Sequence, residues 1–155
     1  MRCWAVIALL ASATPAVAGP SVSESLTHYA ISGNNLSDLR QEMAQNGPKG
    51  FWGYTRWWIN WSGSCKVNLE IRITLPKLSA SAALTPSEER IWNTMVDALY
   101  RHEQMHAEHG RRAAEEIHPT NCSNPRKVVR KWAERDAALD QQTRHGATQG
   151  VTLAD

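Results

Sequence analysis

The sequence lacks an excess of charge of either sign, and it lacks long apolar runs beyond its N-terminal segment. Its 155 residues include 17 Lys and Arg against 15 Asp and Glu, which gives a net charge of +2. This balance provides no polyelectrolyte surface, so we expect neither a nucleic acid nor an anionic membrane as a partner. The hydrophobic fraction of 42% is too high for a disordered chain. With no internal repeat and a length typical of one domain, the sequence predicts a single folded unit.

Residues 1–18 have the pattern of a secretory signal. Arg2 supplies a positive start, an apolar stretch follows, and segment 16–18 (Ala-Val-Ala) offers small residues for cleavage. The apolar stretch is shorter than the roughly 20 residues that cross a bilayer, which disfavours a membrane anchor. We therefore expect signal cleavage, a mature domain of residues 19–155, and a periplasmic or secreted protein without stable membrane insertion.

The chain has three cysteines, an odd number that needs an explanation in an exported protein. Removal of the signal would discard Cys3 and leave Cys65 and Cys122. In an oxidising compartment, two cysteines most simply form one disulfide. Two buried thiols are the alternative. Metal binding by the pair is disfavoured because neither has a close C-x-x-C neighbour.

Residue patterns divide the mature chain into strands and helices. Strands are predicted at 26–31, 53–61 and 65–75, and helices at 36–45, from 86 to about 117, and from 123–125 to about 145. The second and third strands flank a Ser-Gly-Ser turn and should form an antiparallel hairpin, which Pro76 ends. Thr85 and Glu88 can form a capping box at the start of the long helix. The prediction is an α+β fold, with a small antiparallel sheet packed on the long helix and a C-terminal helix.

Tryptophan is abundant where phenylalanine is scarce: the chain has seven Trp and one Phe. On the second predicted strand, Trp57 and Trp61 point to one face and are expected to pack in the core, because aromatic residues suit half-buried strands. Tyr54 and Trp58 point to the other face and are candidates to line a substrate groove.

The motif that carries chemistry is His102-Glu103-x-x-His106, in the middle of the long helix. Residues four apart lie one turn apart on one helical face, so both imidazoles can reach a single Zn²⁺. Glu103 lies beside that face and could act as a general base. The histidines also continue the apolar stripe of the helix, which turns them toward the core, where an unpaired polar group is costly. A hydrogen-bonded histidine face without metal is the plainer interpretation.

A catalytic zinc site needs a third protein ligand and an open position. His109 shares the helix face, but a single straight helix rarely places three ligands around one metal. Glu134 or Asp136 on the next helix could supply a carboxylate, and Asp140 lies one turn further. His145 lies where that helix should end, before a glycine, and its ring could turn back toward the first helix. These alternatives stay open on the residues alone.

The chain resembles the bacterial DUF922 family, described as predicted secreted zinc-dependent proteases. The matching features are a Trp-rich strand, a cysteine with the strand after it, the metal motif and a helix end: Gly53-Tyr54-Thr55-Arg56-Trp57, Ile59, Trp61, Cys65, Leu75-Pro76, His102-Glu103-x-x-His106 and Asp140-x-x-Thr143-x-His145-Gly146. The resemblance implies a minimal zincin-like fold with peptidase chemistry. It favours His145 as the third zinc ligand, with Asp140 orienting an imidazole and Thr143 capping or supporting the site.

The sequence therefore predicts an exported peptidase that uses one zinc ion, with Glu103 as general base and a peptide or protein as substrate. A second hypothesis is an exported module that binds zinc or another ligand without turnover. Glu103 separates the two, because a structural zinc site does not need a carboxylate directly after its first histidine. The cleavage specificity and the oligomeric state are not readable from the pattern.

Overall fold

A computed structural model describes residues 19–154 of the chain, and the predicted export signal at residues 1–18 lies outside this range. Within it, the chain forms three strands and three longer helices: β1 (Ser21–Ile31), α1 (Leu36–Asn46), β2 (Tyr54–Trp61), β3 (Val67–Leu78), α2 (Pro86–Ile117) and α3 (Pro125–Thr143). The predicted α+β class is confirmed. No helix of the described part combines the length and apolarity needed to span a membrane.

The three strands form one mixed sheet in the order β1-β3-β2. β2 and β3 are an antiparallel hairpin, as predicted, with Trp61 opposite Val67. β1 instead runs parallel to β3, so the sheet is not wholly antiparallel as expected. Between β1 and β3 the chain passes through α1 and β2. Because β2 runs opposite to β3, β3 has the same direction as β1. Because this pairing is not local, the alternation within each strand did not reveal it.

Pro76 does not end β3, contrary to expectation, since the strand continues to Leu78. β2 pairs with β3 only as far as Thr74. Beyond that point β3 has β1 as its one strand neighbour, with Tyr29 opposite Pro76. A proline without an N–H is tolerated where one side of a strand carries no partner.

The core lies between one face of β3 and the long helix α2. Alternate residues of β3 from Val67 to Leu75 are buried, as the period-two pattern predicted. They pack in one cluster with the apolar stripe of α2, which includes Trp92, Met95 and Leu99. The predicted capping box starts this helix, because the Thr85 side chain accepts from the backbone of Glu88 and the Glu88 carboxylate accepts from Thr85.

The predicted disulfide between Cys65 and Cys122 is present. It joins the residue just before β3 to the connection between α2 and α3. Trp61, at the end of β2 near Cys65, was expected in the core, yet it is 37% exposed. Trp57 is half-buried against Gly110 of α2, where a side chain larger than hydrogen would collide with the indole.

Candidate metal centre

The metal motif lies on the buried face of α2, where α3 packs across it. His102, Glu103 and His106 are 3%, 4% and 7% exposed. α3 presents two carboxylates to this face, Asp136 and Asp140, which are themselves one helical turn apart. Two i,i+4 pairs on facing helices thus meet, one of imidazoles and one of carboxylates.

Three ligand atoms form a small triangle at this meeting point. His102 Nε2 lies 3.1 Å from Asp140 Oδ1, His106 Nε2 lies 3.2 Å from the same oxygen, and the two Nε2 atoms are 3.2 Å apart. Ligands 2.0–2.1 Å from a tetrahedral zinc ion are about 3.3 Å from one another. The triangle therefore has nearly the size of one face of a zinc coordination tetrahedron.

The hydrogen bonds of the far ring nitrogens set the tautomers. His106 Nδ1 lies 3.1 Å from Asp136 Oδ1, and a carboxylate only accepts, so the imidazole donates there. His102 Nδ1 lies 2.9 Å from Gln149 Oε1 and donates likewise. In the neutral rings this assignment leaves both Nε2 lone pairs directed at each other and at the Asp140 carboxylate. Three acceptors without a proton between them repel, and a cation at their centre relieves the repulsion.

A second group of possible ligands, His106, His109 and Asp136, has the opposite character. His109 Nδ1 lies 2.6 Å from Asp136 Oδ1, the oxygen that His106 also faces, and Trp57 Nε1 donates to Oδ2 at 2.8 Å. Here donors converge on one carboxylate, and hydrogen bonds satisfy the group. Burial raises the pKa of Asp136, but the bonds from His106 and His109 outweigh it and hold the pKa below its ordinary value. Asp136 is thus an orienting group for His106, comparable to carboxylates behind other metal-binding histidines.

Negative charge prevails around His106. Burial lowers the pKa of His106, but the hydrogen bond and charge of Asp136, with the charges of Glu103 and Asp140, outweigh burial and raise it. The same negative charges that favour a protonated His106 also favour a metal cation beside it.

Glu103 lies next to the ligands in a closely packed setting. Burial raises the pKa of its carboxyl, and the Thr55 hydroxyl with the charges of His106 and His102 offsets part of the rise. Gly53, just before β2, makes room for it, because a Cβ atom there would lie 2.7 Å from Glu103 Oε1 and 2.8 Å from Leu99 Cδ1. The Thr55 hydroxyl donates to the backbone carbonyl of Glu103 at 3.0 Å. The start of β2 thus fixes the position of the candidate base.

The end of α3 turns back toward α2. Arg144, His145 and Gly146 all have positive φ. Thr143 caps this turn, since its hydroxyl donates to the carbonyl of Leu139 and accepts from the N–H of Gly146. Gly146 packs on the ring of His102, because a Cβ atom added at Gly146 would lie only 3.1 Å from His102 Cγ. Thr143 therefore supports the site through the turn.

His145 lies at the mouth of the site. Its Nδ1 is 3.4 Å from Asp140 Oδ1, its ring centroid is 5.0 Å from that of Phe51, and its side chain is 58% exposed. Asp140, expected behind the ligands, instead joins His102 and His106 in the group of possible ligands. The assignment of His145 as a ligand stays a prediction. Glu134 is exposed on α3 and lines no part of the site.

A cleft of about 650 Å³ opens onto these groups. His102, Glu103, His106 and Asp140 line its polar side. Its apolar wall consists of side chains from α2, the loop before β2 and the C-terminal segment: Phe51, Trp52, Leu99, Ala147 and Val151. Its volume is typical of a small-molecule or substrate site. Tyr54 and Arg144, whose side chains can donate hydrogen bonds, also line this cleft, whereas Tyr100 does not.

Two contributors to the site were not predicted from the sequence. Gln149 follows α3 in an irregular segment, and no pattern marked it. Gly53 was noted as the start of a strand and as part of the family motif, but its close approach to Glu103 was not predicted. The i,i+4 spacing of Asp136 and Asp140 repeats that of the two histidines, and this signal could have predicted the facing pairs.

The fold and site define a small α+β protein with a candidate metal centre between two packed helices. Residues 26–146 match the family described as bacterial protein of unknown function (DUF922), and the chain belongs to this family. No curated protein and no solved structure matches the chain. The family description names no activity.

Proposed function

We propose that this protein is an exported zinc-dependent peptidase. One observation carries the proposal: three metal-binding atoms converge beside a buried glutamate, at the wall of a cleft large enough for a peptide segment. The disulfide fits an oxidising compartment outside the cytoplasm and supports the export predicted from residues 1–18.

His102, His106 and Asp140 would hold the metal. Two imidazoles and one carboxylate suit zinc, whereas Ca²⁺ and Mg²⁺ prefer sites made of oxygen atoms alone. Three protein ligands leave a position free, which is the arrangement of catalytic zinc sites. Asp136 and Gln149 would keep the two imidazoles in the metal-binding tautomer.

A zinc ion bound there would supply a Lewis acid that polarises a peptide carbonyl and acidifies water. Glu103 accepts a proton from the water while the oxygen of that water forms a bond to the carbonyl carbon. It then delivers this proton to the amide nitrogen as the carbon–nitrogen bond breaks. The raised pKa of Glu103 suits a group that must first take and then release a proton near neutral pH. Tyr54 and Arg144 are the cleft residues that can donate to the developing oxyanion.

The experiment compares Glu103→Gln with the wild type in zinc content and in cleavage of a peptide library. We expect about one zinc per chain in both proteins, and a loss of cleavage in the variant of at least about a hundredfold. Glu115→Gln, which removes an exposed carboxylate of the same helix, is the matched control and should leave both properties unchanged. If Glu103→Gln cleaves as fast as the wild type, the proposed mechanism is wrong.

The second candidate function is zinc binding without turnover, and the position of His145 favours it. If this ring supplied a fourth ligand beside Asp140, the site would be closed, as in structural zinc sites. A wild-type protein that binds zinc and cleaves no peptide of the library would support this function. His145→Ala would then weaken zinc binding strongly.

A further inference from the structure

A second groove lies further along the same two elements that bound the cleft. The cleft is bounded by the start of β2 and the second half of α3. Two adjoining cavities of about 360 and 600 Å³ lie further along, bounded by residues 57–61 of β2 and by Arg126, Lys127 and Arg130 of α3. We call these two cavities the basic groove. β2 and α3 thus bound both the cleft and the basic groove, and the hydrogen bond from Trp57 Nε1 to Asp136 Oδ2 lies between the two.

The basic groove follows the outer edge of β2. Successive residues of a strand point to opposite faces, yet all five residues from Trp57 to Trp61 line the same cavity. A cavity in contact with both faces lies at the strand edge. Within residues 19–154, β2 pairs only with β3, so this edge has N–H and C=O groups without a strand partner. Such an edge can pair with an extended peptide.

The opposite wall carries positive charge without compensation. Arg126, Lys127 and Arg130 are exposed, and none of them forms an ion pair with another residue of the described range. Of the described residues that line the groove, none is acidic. Lys131 of the same helix, in contrast, is paired with Glu116. The charge of the wall is therefore available to a ligand of opposite sign.

We propose that the basic groove binds an acidic segment of an extended polypeptide and so selects the substrate that the cleft acts on. This inference rests on the proposed peptidase function. The strand edge would form hydrogen bonds with the peptide backbone, and the three cations would form ion pairs with its carboxylates. A polyanion without a peptide backbone would use only the cations, which makes an acidic peptide the better fit.

The geometry also sets the distance between the acidic segment and the bond to be cleaved. From Thr55 to Trp61, β2 rises by about 20 Å. From Asp136 back to Arg126, α3 spans about 15 Å. An extended peptide covers this distance in about five or six residues. The acidic residues of a good substrate should therefore lie about that many positions from the scissile bond.

The test measures peptide binding rather than turnover. The zinc-loaded Glu103→Gln protein is titrated into a fluorescein-labelled peptide of about 12 residues, long enough to reach from the basic groove to the cleft, that carries four glutamates near one end. A second peptide has glutamine in their place. We expect binding of the acidic peptide at least about fivefold tighter, with the difference reduced as NaCl rises from about 0.05 M to about 0.5 M.

The variant Arg126→Gln/Lys127→Gln/Arg130→Gln, in the same background, should lose this preference. The control Arg40→Gln/Lys77→Gln/Arg90→Gln removes three exposed cations outside the groove and should retain it. Equal binding of the two peptides, or an unchanged preference in the groove variant, would overturn the proposal. So would a single-stranded oligonucleotide that binds the groove more tightly than the acidic peptide.

The two proposals can fail separately. Binding to the Glu103→Gln protein requires no chemistry, so the groove can be confirmed even if the wild type cleaves nothing. If the protein cleaves peptides without any preference for acidic segments, the proposed peptidase function stands and the proposed role of the basic groove is wrong.

Discussion

The cleft and the basic groove both lie between β2 and α3, and they differ in whether their charged side chains have partners of opposite charge. In the cleft, imidazoles and carboxylates are buried or half-buried and contact one another, and Asp136 accepts from three donors. In the groove, three exposed cations have no acidic partner among the described residues. Paired, buried charges fix a geometry, whereas unpaired, exposed charges leave the fold almost unaffected and are available for recognition. Substitutions in the two regions should therefore have different consequences.

The largest effect is expected from the loss of a zinc ligand in the cleft. Structural zinc sites with four ligands bind with roughly 10–16 kcal/mol, so one ligand is worth about 3 kcal/mol or more. Asp140→Ala should therefore weaken zinc binding by at least about a hundredfold, measured by competition with a chromogenic chelator. His145→Ala, which removes an exposed ring next to Asp140, should weaken it by much less. The reverse order would assign the third ligand to His145.

A smaller effect is expected where the cleft is tightly packed but holds no ligand. In Gly53→Ala, the added methyl group would displace the carboxylate of Glu103, because its contacts of 2.7 and 2.8 Å are too short. A small displacement of a catalytic group lowers the rate by about tenfold to a hundredfold. We expect this loss in kcat, with zinc content unchanged. Gly63→Ala, with no atom within 4 Å of the added carbon, is the control that should keep full activity.

The smallest effect is expected on stability, from the ion pair of Lys131 with Glu116. Lys131 lies on α3, the helix that also carries the unpaired cations of the basic groove. Its partner Glu116 accepts from Lys131 and from Trp132 Nε1, and these bonds lower the pKa of the carboxyl. Because the folded-state pKa is below the ordinary value of 4.5, the pair stabilises the fold above that pH. The contribution is lost as the pH falls through the folded-state pKa.

In urea unfolding at about pH 7, Glu116→Gln should lose less than about 1 kcal/mol, since the pair is exposed. At about pH 3 or below, the difference from the wild type should shrink toward zero. Glu115→Gln, which removes a neighbouring exposed carboxylate that forms no ion pair within residues 19–154, should show no such pH-dependent loss. A constant difference at all pH values would mean that Glu116 acts through packing alone.

Local patterns were sufficient for much of the fold. The long helix and its capping box, the β2–β3 hairpin and the disulfide follow from residues close in sequence or from residue type. β1 was predicted only from residue 26, whereas it begins at Ser21. Its first half is polar and exposed on both faces, so no alternation marks it, and distant backbone pairing with β3 defines it.

The site was predictable to the extent that it lies on one helix. The histidines and Glu103 follow from spacing on α2, but the partners depend on how α3 packs against α2. That packing brings Asp140 to the ligand triangle and Asp136 behind His106. Neither distance can be read from a one-dimensional pattern, because both depend on the register of the two helices against each other.

The disulfide has a consequence for when the protein can fold. Cys65 and Cys122 are 57 residues apart, and the segment between them contains β3 and the whole of α2, with both histidines of the motif. Closing a loop of this length removes conformational entropy from the unfolded chain worth roughly 4 kcal/mol, a large share of the stability of a small domain. A reduced chain would therefore spend more time unfolded, the state that suits passage through a secretion channel. If the chain is exported as proposed, oxidation would then stabilise the fold only in the compartment where the site is to act.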